Sequence, residues 1–485
     1  MSKNQSAPMP EVLRPSALQR PANQRLTTTI LYPVVANQKQ LVFNFNRTGI
    51  LDRNSRLNLQ LLVSLDGTGT YPYAPSNSGC ASWVKRAYLS IGGRMVSNLS
   101  DANHYMTYDR LHHSNCYRDG IMLNTQGGND TFVGSNEAAY PKTANWGTLG
   151  RRDPSQEHQV IAATTLTNPI AGLSNTGDSA PEYSMPLAQF IPLLRNMQLP
   201  LFALNQDVSL TIELAGTGKN AGDVGVRYVN NGGDPTTAGA TSSFNLPACY
   251  IMMDTLYYPN KMSEIADDMN SRGGYNVSFD EILTQVDNET WTAETPSTQQ
   301  HQIQVAGKKV KNLIFQNSSL VKNQGGIFNS QALVRGVEYN ATIDSVPVYT
   351  EGLSNAALQF SETDTLERLH LRCPLWRYCM ANQTNFAQTG LPGVNCGFTD
   401  REFNEYSQEE EQGSQYWTGI KLENAQGEGR VMSSLPIVLT RKVQPQIVDV
   451  NPGGAAGNTK VNNLRTFITT QRRLNMNRAG TTLLE

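Results

Sequence analysis

Residues 196–214 read NMQLPLFALNQDVSLTIEL. From Val208 onward, Val208, Leu210, Ile212 and Leu214 alternate with Ser209, Thr211 and Glu213. A period of two puts one set on a buried face and the other in water, which is the mark of a strand with a single wet side. A Leu-Pro pair, Leu199-Pro200, leads into it. Proline cannot donate to a ladder, so it belongs at the start of a strand. There it fixes φ and keeps the preceding residue extended.

The same step recurs. In SSLPIVLTRKV, 433–443, Leu435-Pro436 again precedes an alternating run, 236 positions after Pro200. The order around the two steps is alike: several strands, a short helix, a long polar loop, the Leu-Pro strand, a loop and a closing strand. In the first half LVFNF (41–45), RLNLQLLVSL (56–65) and WVKRAYLSIGG (83–93) read as strands. SDANHYMTYDRLHHS (100–114) reads as a helix opened by Ser100, and FIPLLRN (190–196) as two helical turns. In the second half YNVSFDEILTQV (275–286), HQIQVAG (301–307), KKVKNLIFQNSS (308–319) and VEYNATIDSVPVY (337–349) alternate. SETDTLERLHLR (361–372) has capping-box spacing at Ser361 and Asp364, with Pro374 past its end.

Two copies of one β-domain, each of about eight strands, predict an all-β chain of two tandem eight-stranded jelly rolls with long loop insertions and a few short helices. The expected division is an extended N-terminal arm at 1–25, a first roll at 26–262 and a linker at 263–275. A second roll at 276–476 and a C-terminal tail at 477–485 complete it. Polar, Gly- and Asn-rich insertions fall at 114–180, 216–247 and 381–415.

Composition agrees with a loop-rich β protein. The 485 residues include 39 Gly and 24 Pro, and only 16 % are charged, against about 25 % in an average soluble chain. A net charge of −2 gives no basic excess for gripping phosphates, so no specific nucleic-acid binding is expected. Weak charge suits a surface that packs against copies of itself. The six cysteines show no CxxC pair, and the start, MSKNQSAPMPEVLRPSALQRP, is polar and Pro-rich. The expectation is a soluble chain made in a cytosol, not secreted, with reduced thiols.

Candidate chemistry fails on spacing. GTGKN at 216–220 lacks the earlier Gly and the following Ser or Thr of a phosphate loop, having Glu213 and Asn220 in those places. His104, His112 and His113 share a helix at steps that do not pair as metal ligands. Cys373 and Cys379 flank Pro374 with no second pair. Glu409, Glu410 and Glu411 are adjacent in a Gln-rich loop, whereas a glycosidase holds two carboxylates about 5–10 Å apart across a groove. No catalytic, cofactor-binding or metal-ligating residue is expected, and no cofactor.

The run MPLAQFIPLLRNMQLPLFALNQDVSLTIEL (185–214), followed by CYIMMDTLYYP (249–259), resembles the end of the first roll in double jelly-roll major capsid proteins of tailless icosahedral double-stranded DNA viruses. The Asp254-Thr255 pair belongs to that likeness, while Leu256, Tyr257 and Tyr258 replace the charged residues common in the large-virus members. A virophage-like or polinton-like member fits better. The resemblance implies a non-enzymatic virion protein whose homotrimers form pseudo-hexagonal capsomers that tile a shell. Its partners would be itself, penton and minor or cement proteins, with an internal membrane possible beneath. The insertions would be outward loops, and the arm and tail would face inward. The competing expectations are a tandem β-sandwich carbohydrate-binding or carbohydrate-active protein and an accessory spike or fibre. Against the first, Trp83, Trp146, Trp291, Trp376 and Trp417 are scattered.

Overall fold

The computed structural model describes residues 24–65 except 38, 73–75, 80–111, 122–126, 182–215, 226–228 and 242–291 except 272. It also describes Leu13, 297–319, 338–348, 353–354, 417–443 except 425, and 460–484 except 479.

The first half opens with β1 (Arg25–Leu31), β2 (Val35–Ala36), β3 (Gln40–Phe45), β4 (Ile50–Leu51), β5 (Arg56–Leu65) and β6 (Tyr73–Pro75). The β7 (Val84–Ile91) and β8 (Arg94–Ser100) hairpin leads to α1 (Ala102–Leu111) and a turn of helix, α2 (Leu123–Gln126). Next come β9 (Glu182–Pro186), α3 (Leu187–Phe190), α4 (Pro192–Asn196), β10 (Val208–Leu214), β11 (Val226–Tyr228) and β12 (Ser242–Tyr257). Helix α5 (Pro259–Ser271) connects to the second half.

That half runs through β13 (Tyr275–Trp291), β14 (Ser297–Ile303), β15 (Lys309–Ser319), β16 (Glu338–Ile343), β17 (Val346–Pro347) and β18 (Leu353–Ser354). It closes with β19 (Trp417–Lys421), β20 (Arg430–Val431), β21 (Ile437–Val443), β22 (Lys460–Asn477) and β23 (Gly480–Leu484).

The duplication is visible in the sheets. One sheet of the first roll orders β1-β12-β5-β9, and the facing one orders β3-β10-β7-β8. In the second roll the corresponding orders are β13-β22-β15-β19 and β14-β21-β16-β17. In both, the first strand pairs with the long closing strand, β12 or β22, and the chain passes from sheet to sheet in the same sequence. This is the double jelly roll, as the sequence predicts.

Each sheet buries the face that its alternation marks. Leu41 and Phe43 of β3, Leu57 and Leu59 of β5, Leu89 of β7, and Leu210 and Ile212 of β10 are fully buried in one core. Ile303, Leu313, Phe315, Ile437 and Leu439 fill a second, smaller one. The larger core does not stop at the first roll. It takes in Tyr275, Val277, Phe279 and Ile282 of β13, and Phe467, Leu474 and Met476 of β22.

Local departures from expectation have physical reasons. Pro436 does stand immediately before β21, but Pro200 does not stand before β10. A single 3-10 turn, Leu201–Ala203, and four more residues intervene. The chain needs that turn because Leu199 makes an isolated bridge with Leu51 before the strand begins. The stretch 263–275, expected as a linker, is mostly α5, with Ile265 and Met269 one helical turn apart and buried in the larger core. After 477 the chain turns back, and β23 pairs with β22. Of the expected arm, Leu13 is fully buried in the larger core and its carbonyl accepts the Gln198 N–H at 2.8 Å. The expected helix at 361–372 lies outside the described residues, as do most of the three insertions.

Candidate assembly surface

The titratable groups that sequence reading singled out do not converge. His104 is buried in α1 beside Asn103, whose Oδ1 accepts the His104 backbone N–H. His112, His113, Cys373, Cys379, Glu409, Glu410, Glu411 and residues 216–220 lie outside the described residues. Glu213 sits on β10 opposite Arg86, 3.4 Å away, as an ordinary half-exposed pair. Among the described residues, no group of three or more His, Cys, Asp or Glu side chains is placed to hold a metal. Cys80 and Cys249 are buried thiols, and burial pushes the Cys249 thiol up to about 12.

What does converge is the seam between the rolls. β8 of the first lies parallel to β13 of the second, with Leu99 opposite Ile282, so two four-stranded sheets join into one. The Thr284 hydroxyl donates to the Ser100 carbonyl at 3.1 Å. Helix α4 packs against β13, and Tyr105 of α1 meets Phe467 of β22 at 5.6 Å between ring centroids.

Charge is buried along this seam. Arg465 of β22 reaches Asp101, at the head of α1, at 3.9 Å. Glu281 of β13 accepts from Arg472 of β22 at 2.9 Å. Burial lifts the Glu281 carboxyl above its ordinary value, and the neighbouring Arg472 and Lys308 offset this only in part. Burial also pushes the Tyr105 phenol up to about 12 against the pull of Arg195. Arg195 itself is tied down. It pairs with Asp109 at 3.5 Å and donates to the Ala188 and Gln189 carbonyls at 2.9 Å each. Glu281 and Arg465 are buried and the other charged groups half-buried, and the Asp101–Arg465 pair crosses from one roll to the other. Sequence reading missed these charges because a charged residue in a strand reads as solvent-facing.

Among the described residues, large apolar side chains are exposed along the outer side of β1. Leu26 and Ile30 of β1 are 51 % and 56 % exposed, and Tyr32 and Val34 just beyond it are each 67 % exposed. Tyr32 stacks obliquely on Tyr250, and Met252 lies opposite Ile30. An apolar strip of this kind on a sheet edge marks a surface meant to be covered.

No protein-family model and no curated protein sequence matches the chain. Solved structures do match it over nearly its full length. The chain is similar to the PBCV-1 virus capsid in its quasi-atomic model, with TM-score 0.53 and 11 % identity over 96 % of this chain and 98 % of that one. It is similar to the Sputnik virophage structure determined by cryo-EM, with TM-score 0.54 and 10 % identity over 95 % and 88 %. It is similar to the mavirus major capsid protein, with TM-score 0.50 and 10 % identity over 94 % and 89 %. At such identities the likeness is one of fold, and the fold shared is the double jelly roll.

Proposed function

We propose that the chain is a major capsid protein of a tailless icosahedral double-stranded DNA virus, a structural virion subunit and not an enzyme. The observation that carries this reading is the pair of equivalent rolls locked side by side, matched over nearly the whole chain by capsid structures. Two like domains per chain make a three-chain ring nearly six-sided, and a six-sided brick tiles a shell. The division into rolls at 26–262 and 276–476 belongs to this proposal. Three chains form a pseudo-hexagonal capsomer. The insertions at 114–180, 216–247 and 381–415 form its outward loops, and the arm at 1–25, anchored in the chain's own core at Leu13, reaches inward with its first residues to neighbouring capsomers, pentons or minor proteins. The absence of a basic excess in the chain favours a shell that encloses nucleic acid without specific binding. An internal membrane beneath the shell is compatible with this arrangement.

The test is the mass of the purified full chain by light scattering behind a sizing column. A capsomer gives about 160 kDa, three times 53.4 kDa, and does not dissociate on dilution. Negative-stain images then show six-sided particles. A 53.4 kDa monomer at micromolar concentration refutes the capsomer.

A further inference from the structure

The two rolls share a pairing register, and position by position they are not filled alike. In the first, β10 pairs with β3 so that Val208 lies opposite Phe45, Leu210 opposite Phe43 and Ile212 opposite Leu41. In the second, β21 pairs with β14 so that Ile437 lies opposite Ile303, Leu439 opposite His301 and Arg441 opposite Gln299. Each pairing starts from the first residue of one strand and the last of the other, so the positions correspond. The place of Phe43 is taken by His301, that of Leu41 by Gln299 and that of Ile212 by Arg441. Leu41, Phe43 and Ile212 are fully buried hydrocarbon. Arg441 is fully buried as well, His301 is only 8 % exposed, and Gln299 is half-buried.

The change of character falls at one level of the second roll. Ile303, Ile437 and Leu439 belong to its apolar core, and so does Ile468 of β22. One inward position further along, both facing sheets turn polar. Thr466 shares the face of Leu464 and Ile468 and lies opposite Gln285 of β13. Asp287 follows two residues on, and its carboxylate comes within 3.6 Å of the His301 Nδ1 across the gap between the sheets. The Gln285 amide donates to that carboxylate at 3.1 Å and to the Gln302 carbonyl at 2.8 Å. Other groups are left unmet. Among the described residues, the Oγ1 of fully buried Thr466 and the Oε1 of Gln299 have no hydrogen-bond partner. A buried polar network with unmet members is less stable than hydrocarbon in the same space. Such groups are met by water wherever the structure lets water in.

We propose that this end of the second roll, where β13 hands over to β14, takes in water and opens locally while the corresponding end of the first roll stays shut. The two rolls are alike in topology and unlike in local stability. The inference concerns the single chain and stands without the capsomer reading. The opening is a fluctuation of a few residues on each strand, short of the cooperative unfolding that the shared core imposes on both rolls.

Hydrogen–deuterium exchange of the full chain, read by peptide mass spectrometry, tests it on β10 and β21. Both are interior strands, β10 between β3 and β7 and β21 between β14 and β16, so neither is an edge. Corrected for intrinsic rates, amides of 439–442 exchange roughly tenfold or more faster than those of 210–213. A variant given the first roll's residues, Gln299→Leu with His301→Phe, slows exchange at 439–442 and leaves 210–213 as it was. Arg441 stays in place, and Asp287 keeps the Gln285 amide. Should circular dichroism show the double variant misfolded, Gln299→Leu alone, nearly equal in volume, takes its place. Equal protection of the two strands in the native protein overturns the proposal. So does a folded variant whose exchange at 439–442 is unchanged or faster, since the polar groups would then hold that end together.

Discussion

Gly274 stands between α5 and the long β13–β22 ladder, and replacing it tests how closely β22 approaches the head of β13. Its φ is +83°, and a Cβ built on it would lie 2.0 Å from the Met476 carbonyl oxygen and 2.7 Å from its carbon. Both are backbone atoms, held where β13 begins its pairing at Tyr275–Met476. Alanine in the left-handed region costs about 1–2 kcal/mol. Separating the Cβ from a fixed carbonyl requires the first pair of the ladder to shift, which adds about 1–3 kcal/mol of overpacking strain. Neighbouring Gly273 supplies the control. Its φ is +74°, yet a Cβ there meets nothing within 4 Å. Gly273→Ala therefore carries the conformational cost alone. At about 2–4 °C per kcal/mol for a roll-sized domain, Gly274→Ala lowers Tm by roughly 4–20 °C and Gly273→Ala by roughly 2–8 °C. The assay is differential scanning calorimetry of the two variants beside the native protein. Equal losses refute the clash, and with it the close approach of β22 to the head of β13.

The remaining predictions concern the core, the seam and the buried thiol. Phe43→Ala, fully buried in β3, costs about 3–5 kcal/mol, read as a lowered urea midpoint. Phe467→Ala removes the Tyr105 contact and costs a similar roughly 3–5 kcal/mol. Because Phe467 lies in the larger core, both rolls lose stability together, and two separated calorimetric transitions would contradict the shared core. Glu281 holds its proton longer when folded than when unfolded, so its contribution to stability falls as pH rises above the ordinary 4.5 through its raised value. Glu281→Gln cannot titrate and therefore gains Tm relative to the native protein over that range, whereas a relative loss would mean that Arg472 dominates. Cys249, with a thiol near 12, stays unmodified by a maleimide reagent at pH 8 until denaturant is added, as peptide mass mapping will show.

The strands were legible because a half-buried strand must alternate. Phe43, Leu57, Leu89 and Leu210 announce their face without help from the rest of the chain. Helix α5 was not, since SEIADDMN shows only Ile265 and Met269 as inward residues and otherwise looks like a polar linker. The Leu-Pro step was half legible. Proline dictates extended backbone before it, but the path of the chain after Pro200 is decided by the Leu199–Leu51 bridge, a contact 148 residues apart in sequence. Glu281 extends the inward series of Tyr275, Val277 and Phe279, yet a carboxylate there reads as the end of the buried face. Only the position of Arg472 on a strand nearly 200 residues away makes it tolerable.

Joining two rolls in one chain changes the thermodynamics of a ring. The β8–β13 seam forms intramolecularly, so its strength is independent of concentration, and α5 with the shared core fixes its geometry before any second chain arrives. In the proposed capsomer, only the contacts between chains then respond to concentration. A strip that is apolar and bare on the single chain suits this, since burial of apolar area supplies affinity without the desolvation that a buried Asp–Arg pair demands. The internal seam tolerates its charges because the chain itself holds them together. The division of labour predicts that raising ionic strength leaves the proposed trimer intact, or strengthens it, and changes the largely buried Asp101–Arg465 pair little. Dissociation of the proposed trimer at an ionic strength on the order of 0.5 M would mean that the contact between chains is held by charge and not by apolar burial.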